Sequence, residues 1–136
     1  MPIDDDDSIA EVLEFETIAV VGCSSTPGKD AHEVPAYLQR HGYRVIPVNP
    51  TTDEVLGERS YDTLSAVEEE VEVVDVFRPS EEVAGIVDEA IERGDVKVVW
   101  TQLGIRDDEA AERAEAAGLR VVQNRCIMVD HRRLRA

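Results

Sequence analysis

One short segment between an apolar run and a helical pattern has the residue types of a phosphate-binding loop. It reads VVGCSSTPGKDAHEV over residues 20–34. Backbone amides at the start of the helix, the hydroxyls of residues 24–26 and the ammonium group of Lys29 could together hold a diphosphate. A turn whose hydroxyls only satisfy the local backbone is the alternative interpretation. The position directly after the first apolar run favours phosphate binding.

The segment completes neither of the two nucleotide-binding motifs that it approaches. Its glycines and Lys29 resemble a P-loop, but the spacing contains one residue too many. Asp30 stands where a P-loop has the Ser or Thr that binds magnesium. As a dinucleotide-binding fingerprint the segment keeps Gly22, but Ser24 and Pro27 replace the later glycines.

The end of the second apolar run tests the dinucleotide interpretation. NAD-binding sheets usually place an Asp or Glu there to bind the ribose hydroxyls, whereas this run ends in Val48-Asn49-Pro50 without a carboxylate. Asn49 could hydrogen-bond a sugar, but Pro50 more simply turns the chain, and Pro47 indicates an irregular or edge position. The pattern therefore argues against NAD and FAD.

Five apolar, β-rich runs predict strands that are covered on both faces, as in a parallel sheet. They occupy residues 17–21, 43–48, 71–77, 96–100 and 119–122, and helical patterns occupy residues 31–41, 80–93 and 107–117. The link over residues 50–70 is irregular, with an extended piece at 59–61 and a short helix capped by Asp62 or Thr63. This order predicts an α/β fold with a Rossmann-like, doubly wound, mainly parallel five-stranded sheet and helices on both faces.

The irregular link can return the chain to the other side of the first strand, which makes that strand the switch point of the sheet. In such sheets ligands bind at the carboxyl ends of the strands. Beyond the two segments already described, those ends are Arg78-Pro79, Thr101–Gly104 and Gln123–Cys126. We expect the functional site to lie there.

The length fits one domain over residues 1–136. Ser8 is expected to cap an acidic helix within residues 1–15 that reaches about Phe15, with the aspartates of residues 4–7 favourably placed at its N-terminus. The Rossmann-like core is expected to occupy residues 16–134.

Acidic residues dominate the composition, with 30 Asp and Glu against 14 Lys and Arg and a formal net charge of −16. Such a field repels nucleic acid and anionic membranes, so neither is expected as a partner. The excess is spread along the whole chain and resembles the surfaces of proteins from salt-accumulating halophiles.

No apolar run is long enough to span a membrane and no signal-peptide pattern is present, which predicts a soluble, cytoplasmic protein.

The cysteines and histidines predict no metal site. Cys23 and Cys126 are too far apart to form a ligand pair, and each is more simply a packing group than a reactive thiol. His32 and His41 fall on a predicted helix and are expected at its surface or as capping residues. His131 lies in the basic sequence DHRRLRA, which is expected to be a solvated end.

Four segments, in this order, carry a resemblance to a known family. They are TIAVVGCSSTPGKDAHEV with YLQRHGYRVIPVNP, then VVDVFRPSEEV, VVWTQLGI and VVQNRCIMVDHRRL. They resemble the stand-alone CoA-binding proteins related to the N-terminal domain of the succinyl-CoA synthetase α-subunit. The resemblance covers roughly residues 15–134 and implies a Rossmann-like fold with coenzyme A as the ligand.

The resemblance also implies which residues contact CoA. The loop of residues 24–27 would receive the diphosphate, and Cys126 would lie near the end of the pantetheine arm. Thr51 and Thr52 stand where relatives have a basic residue, so Lys29 or Arg59 would replace it at the ribose 3′-phosphate. The predicted cofactor-binding residues are Gly22, Ser24, Ser25, Thr26, Pro27, Lys29, Asn49, Pro50, Thr52, Arg78, Thr101, Gln102, Leu103 and Cys126.

Two of these residues could have a structural role instead of binding CoA, and two other functions are also compatible with the sequence. Arg78 could instead pair with surrounding acids, and Gln102 could simply finish its strand. Because no nucleophile elbow or metal cluster is present, the expected function is non-catalytic binding of CoA or acyl-CoA by a carrier, sensor or regulator. The alternatives are the CoA-binding piece of a split acyl-CoA synthetase with a separately encoded subunit or, with less support, an NAD(P)-dependent oxidoreductase module. A homodimer is a further possible assembly.

Overall fold

The computed structural model describes residues 2–135 and centres on a parallel β-sheet. Within that range the strands are β1 (Thr17–Val21), β2 (Arg44–Val48), β3 (Glu54–Val55), β4 (Glu58–Arg59), β5 (Val73–Val76), β6 (Val98–Thr101) and β7 (Arg120–Val122). The α-helices are α1 (Asp6–Val12), α2 (Asp30–Arg40), α3 (Ser80–Arg93), α4 (Asp108–Ala116) and α5 (Ile127–Leu134). A short 3-10 helix spans Leu64–Ala66, and Thr63 caps it by accepting a hydrogen bond from the Ala66 amide.

The strand order of the main sheet is β2-β1-β5-β6-β7, and all of its neighbouring strands are parallel. β3 and β4 form a small antiparallel hairpin in the link that the sequence predicts to be irregular. β2 lies on one side of β1 and β5 on the other, so the chain reverses direction across the sheet at β1. The predicted Rossmann-like fold and its switch point at the first strand are therefore confirmed.

Helices cover both faces of the sheet, which explains why its strands are apolar throughout. Every residue of β5 and β6 is buried. On one face α1, α2 and α5 pack over alternate strand residues, including Ile18, Val98 and Trp100. On the other face α3, α4 and the 3-10 helix pack over the residues between them, including Ala19 and Val99.

The prediction for the N-terminal helix is wrong at both ends. Asp5, not Ser8, is the N-cap residue, because its carboxylate accepts a hydrogen bond from the Ser8 amide at 3.0 Å. The helix also ends at Val12, before Phe15. The Asp5 carboxylate caps a free amide of the first turn, so the helix begins at Asp6. Ser8 then lies inside the first turn and cannot be the N-cap residue.

The basic C-terminal sequence is not a solvated end, because it forms α5 and packs on α2. His131 is buried, and its Nδ1 lies 2.7 Å from the Tyr37 hydroxyl. Burial lowers the pKa of His131, and the nearby His41 and Arg135 lower it further. The amphipathic pattern of residues 127–134 is only two turns long, and the many arginines mask its apolar side in the sequence.

Two buried aspartates differ sharply in their surroundings. Asp130 on α5 is 3% exposed and binds the Arg125 guanidinium through both oxygens, at 2.7 and 3.0 Å, with Arg133 at 3.2 Å. Asp75 on the central strand β5 is fully buried, and neither of its oxygens has a hydrogen-bond partner among the described residues. Its register neighbours are Val20 and Trp100, both apolar. Burial raises the pKa of Asp75 well above its ordinary value.

Both outer strands of the main sheet have contacts on their outward side. Beyond β7, the Ile3 amide donates a hydrogen bond to the Val121 carbonyl at 2.7 Å. Beyond β2, Tyr61 forms an isolated parallel bridge with Val48, and its amide donates to the Pro47 carbonyl at 3.1 Å.

Candidate functional site

The end of β1 requires a glycine. Gly22 has φ of +91°, a conformation that L-residues with a side chain rarely adopt. A Cβ at this position would lie 2.8 Å from Arg78 Cδ and 2.9 Å from the Phe77 carbonyl oxygen. The carboxyl ends of β1 and β5 therefore meet at Gly22, with the Arg78 side chain lying directly against it.

Hydrogen bonds from its own backbone and from the side chains of Ser24 and His32 hold the loop after Gly22 in shape. The Ser24 amide donates to the Ala31 carbonyl at 2.9 Å, and the Ser24 hydroxyl accepts a bond from the Thr26 amide at 3.0 Å. The imidazole of His32 bonds to the Ser24 carbonyl at 2.7 Å. Residues 25–28 are exposed. The Ser24 hydroxyl thus satisfies the local backbone, as in the alternative interpretation of this loop as a simple turn. The loop tip is open to solvent.

The start of α2 closes this loop. Lys29 is the N-cap residue, it is exposed, and its side chain makes no capping hydrogen bond in the described structure. Amides at a helix N-terminus attract anions. Asp30 and Glu33 already place negative charge in the first turn, and Glu33 accepts a bond from the Gly28 amide at 3.1 Å.

Asn49 joins the loop after β1 to the turn after β2. Its Nδ2 donates to the Cys23 carbonyl at 2.9 Å, and its Oδ1 accepts from the Thr51 amide at 2.8 Å and the Thr51 hydroxyl at 2.7 Å. Thr52 turns away to hydrogen-bond with the backbone of Glu54. The side chain of Asn49 thus holds the loop after β1 and the turn after β2 against each other.

A cleft of about 430 Å³, called the larger cleft below, opens beside Gly22 on the α3 face of the sheet. It lies between the ends of β1 and β2, the 3-10 helix and α3. Its lining residues are Val21, Gly22, Val48, Asn49, Pro50, Thr51, Asp62, Thr63, Leu64, Arg78, Glu82, Ile86 and Glu89. Four of the predicted binding residues therefore lie together here, namely Gly22, Asn49, Pro50 and Arg78.

The larger cleft contains three carboxylates that the sequence prediction did not include. Arg78 forms a two-pronged ion pair with Glu82, at 3.1 Å from Nε and 2.8 Å from Nη2. The guanidinium of Arg78 lowers the pKa of Glu82. Glu89 accepts hydrogen bonds from the Ser65 amide and hydroxyl at 3.1 and 2.9 Å, and Asp62 completes the set. With 30 acidic residues in the chain, no local pattern marks these three as neighbours.

A second cleft, called the apolar cleft below, lies at the carboxyl ends of the strands on the α2 face of the sheet. It has a volume of about 150 Å³ and is lined by Asp30, Val34, Phe77, Gln102, Leu103, Ile105, Cys126 and Met128. An adjoining hollow of about 230 Å³ shares Leu103 and Cys126 with it. The structure thus brings Gln102, Leu103 and Cys126 together. The loop of residues 23–29 lies in the chain between Gly22, which lines the larger cleft, and Asp30, which lines the apolar cleft.

Two polar residues near the apolar cleft shape its walls. Gln102 is 5% exposed, and its side-chain oxygen accepts a hydrogen bond from the Ile127 amide at 3.3 Å. Thr101 is buried outside the clefts, where its hydroxyl donates to the Ile105 carbonyl at 2.7 Å and accepts from the Asn124 amide at 3.2 Å. Thr101 therefore holds the loop that carries Leu103.

The two cysteines have different environments. Cys126 is half-buried at the N-cap of α5 and lines the apolar cleft. Cys23 is fully buried, and burial, with a smaller effect of Asp75, raises the pKa of its thiol to about 12. Because the thiolate is the reactive form, Cys23 is inert at neutral pH.

The structure also bears on cofactors and membranes. Within residues 2–135 no cluster of three or more His, Cys, Asp or Glu side chains is arranged to hold a metal ion. In the same range, none of the helices combines the length and apolar character needed to cross a bilayer.

A parallel sheet whose strand order reverses at its first strand, with a glycine at the end of that strand and a cleft beside it, defines a Rossmann-like α/β protein, a class in which ligands bind at the strand ends. A family model described as a CoA binding domain matches residues 16–132. The chain belongs to this family, which confirms the family and fold inferred from the sequence motifs.

The relatives include proteins of similar size and domains of larger enzymes. The uncharacterized protein YneT of Bacillus subtilis is 39% identical over 124 residues, which cover 90% of this chain and 91% of that protein. A hypothetical protein from Pyrococcus horikoshii has a solved structure with a TM-score of 0.93 and 41% identity, covering 100% of this chain and 97% of its own.

The α-subunit of an ADP-forming acetate–CoA ligase II from Pyrococcus furiosus is 30% identical over 131 residues. The match covers 88% of this chain but 29% of that subunit. This chain is therefore related to the CoA-binding part of ADP-forming acetate–CoA ligases and spans less than a third of that ligase subunit.

Proposed function

We propose that this chain binds coenzyme A or an acyl-CoA without catalysing a reaction on it, as a carrier, sensor or regulator. The observation that carries the proposal is a pair of clefts at the strand ends of a member of a CoA-binding family, one lined by Gly22 before the loop of residues 23–29 and the other by Asp30 after it. CoA has a nucleoside and a slender pantetheine arm on opposite sides of a diphosphate. The larger cleft is lined by both polar and apolar residues and the other cleft is small and mainly apolar, which matches that division.

The diphosphate would lie across Gly22 and the loop of residues 24–27, at the start of α2. Loop amides, the exposed hydroxyls of Ser25 and Thr26, and the charge of Lys29 would supply its contacts. Arg78 lies against Gly22 and pairs with Glu82, but both partners are nearly half exposed, at 47% and 45%. Exposed ion pairs of this kind are weak, so a diphosphate could take over the guanidinium.

The pantetheine arm would follow the strand ends into the apolar cleft. Phe77, Leu103 and Met128 provide apolar walls, and Gln102 provides an amide that can hydrogen-bond the amides of the arm. The thiol or acyl end would then lie near Cys126.

A second candidate function is supported by the relationship to the ligase α-subunit. In that case the chain would present CoA to a separately encoded catalytic subunit. An NAD(P)-binding oxidoreductase is a third candidate, for which Asp62 offers the ribose-binding carboxylate that the end of β2 lacks.

The first prediction is that CoA stabilises this protein against heat and NADH does not. A ligand at about 100 times its dissociation constant adds about 2.7 kcal/mol to the free energy of unfolding. The measurement is differential scanning fluorimetry in concentrated KCl with CoA, acetyl-CoA and NADH. Arg78→Ala should weaken CoA binding about tenfold, equivalent to ~1.4 kcal/mol. If NADH raises the melting temperature and CoA does not, the proposed ligand is wrong.

Arg120→Ala is the matched control for Arg78→Ala. Arg120 is also 47% exposed and pairs with an acid, Glu11, but it begins the outer strand β7, at the amino ends of the strands, and lines neither cleft. We expect this variant to bind CoA as the wild type does. An equal loss of affinity in both variants would mean that Arg78 acts only through the overall charge.

The second prediction concerns the end of the arm. Incubation with CoA disulfide should add one CoA mass to the protein, because the Cys126 thiolate attacks the disulfide, forms a Cys126–CoA disulfide and releases the CoA thiolate. Intact-mass spectrometry measures the adduct, and Cys126→Ser should remove it. Buried Cys23 is the internal control and should remain unmodified. An adduct on Cys23 alone would overturn this placement of the arm, and no adduct would leave a purely reversible binder.

A further inference from the structure

In the proposed binding mode, the nucleoside of a CoA nucleotide would lie in the larger cleft. Its volume of about 430 Å³ is nearly three times the 150 Å³ of the apolar cleft. It adjoins Gly22, where the diphosphate is proposed to lie, and reaches from there over Asn49, Pro50 and Thr51 to Thr63. Val21, Val48, Leu64 and Ile86 supply apolar surface for a base.

The polar lining of the larger cleft is mainly acidic. Asp62, Glu82 and Glu89 face a single basic residue among the lining residues, Arg78. Arg78 already has both prongs of its guanidinium on Glu82. Glu89 is held in position by two hydrogen bonds from Ser65, so it cannot easily turn away from a ligand.

The two basic residues that could replace a phosphate partner lie outside this cleft. Arg59 packs over the Tyr61 ring, with its guanidinium carbon 4.7 Å from the ring centroid. Its Nη1 lies 3.9 Å from Glu68 Oε1. Arg59 lines a neighbouring hollow that shares one lining residue, Asp62, with the larger cleft. Lys29 lies at the start of α2, at the end of the loop of residues 23–29 that is farther from Gly22.

Carboxylates and phosphates make opposite demands on a ribose. A carboxylate accepts hydrogen bonds from free 2′- and 3′-hydroxyls, as the ribose-binding acid does in other Rossmann-like sheets. A 3′-phosphate is a doubly charged acceptor without a donor for that carboxylate, so it is repelled. The lining of the larger cleft therefore favours the unphosphorylated ribose.

We propose that the larger cleft selects an adenosine diphosphate unit with free ribose hydroxyls, so that this chain binds dephospho-CoA more tightly than CoA. The inference rests on the proposed binding of a CoA nucleotide and specifies which form of it the site recognises. Asp62 and Glu89 are its specificity-determining residues, and Glu82 adds to the same field.

Isothermal titration calorimetry of the wild-type protein with CoA and with dephospho-CoA tests the proposal, at the lowest KCl concentration that keeps the protein folded. We expect dephospho-CoA to bind about tenfold more tightly, equivalent to ~1.4 kcal/mol. The ratio should shrink as KCl is raised, because salt screens the repulsion. Equal affinities, or tighter binding of CoA, would overturn the inference. If neither nucleotide binds, the proposed function itself fails.

Two charge-removing variants locate the effect. Asp62→Asn and Glu89→Gln should each reduce the preference for dephospho-CoA by improving the binding of CoA. Glu92→Gln is the matched control, because it removes a charge from the exposed side of the same helix, α3, outside the cleft. If Glu92→Gln changes the ratio as much as Glu89→Gln does, the preference comes from net charge rather than from the cleft.

Discussion

Replacing Asp75 by Asn should make this protein more stable above neutral pH. Its carboxyl group is fully buried between Val20 and Trp100 and has no hydrogen-bond partner among the described residues. A buried polar group without a partner costs about 1–3 kcal/mol, and an ionised one costs more. The amide of Asn has almost the same shape and is equally without a partner, but it cannot ionise, so the variant avoids the cost of the raised pKa and should be more stable at pH 8 by at least about 1.4 kcal/mol, the free energy of one pH unit.

The pH dependence of this effect has a defined sign. Burial raises the pKa of Asp75 in the folded state, so the folded protein holds a proton that the unfolded chain releases. The contribution of the protonated group is therefore complete below the ordinary pKa of Asp and is lost as the pH rises toward the folded-state pKa. Urea unfolding between pH 4 and pH 8 should show Asp75→Asn close to wild type at pH 4 and increasingly stabilised at higher pH.

Asp130→Asn is the contrasting control, because Asp130 is buried but bound by Arg125 and Arg133. Removing its charge leaves Arg125 without its partner and should destabilise the protein. Opposite signs for the two variants would show that pairing, rather than burial, decides the outcome. A loss of stability in Asp75→Asn at pH 8 would mean that Asp75 has a partner in solution.

Dilution into low salt should unfold the protein. The formal net charge of −16 is carried on an accessible surface of 6739 Å². The screening length grows from about 3 Å at 1 M salt to about 30 Å at 0.01 M, so at low salt almost every acidic group repels every other. Far-UV circular dichroism during dilution of KCl should report the loss of helix, and re-addition of KCl should restore it.

The salt requirement can be separated from general effects of solutes. Sucrose stabilises folded proteins without screening charge, so it should not replace KCl. A double variant, Glu92→Gln with Glu112→Gln, removes two exposed charges and should fold at lower KCl than the wild type does. A full dichroism signal at about 0.01 M salt would show that the acidity serves another purpose, such as binding a cationic partner.

The parallel sheet and the three helices between its strands, α2, α3 and α4, were predictable because they depend on local patterns. Apolar runs of four to seven residues, mostly separated by amphipathic helices, admit few arrangements other than a parallel α/β sheet. The irregular link after β2 predicted the switch at β1 because the chain has to cross to the other side of that strand. The same order predicts a site at the carboxyl ends of the strands, and both clefts lie there.

The features that the sequence did not predict depend on contacts between distant residues. Asp62, Glu82 and Glu89 meet only after the 3-10 helix packs against α3. Asn49 is a predicted ligand contact, and in the structure its side-chain amide hydrogen-bonds to the backbone of Cys23 and Thr51. Neither outcome can be read from spacing along the chain, since each is decided by which loops lie side by side.

The contacts outside β7 and β2 limit how copies of this protein can associate. An outer strand with a free row of amides and carbonyls can pair with another chain and start polymerisation. Here Ile3 occupies part of that row on β7, and Pro47, which has no amide hydrogen, and the Tyr61 segment interrupt it on β2. These contacts oppose edge-to-edge joining of two sheets, so a homodimer that used the helices or the strand-end rim would leave them intact.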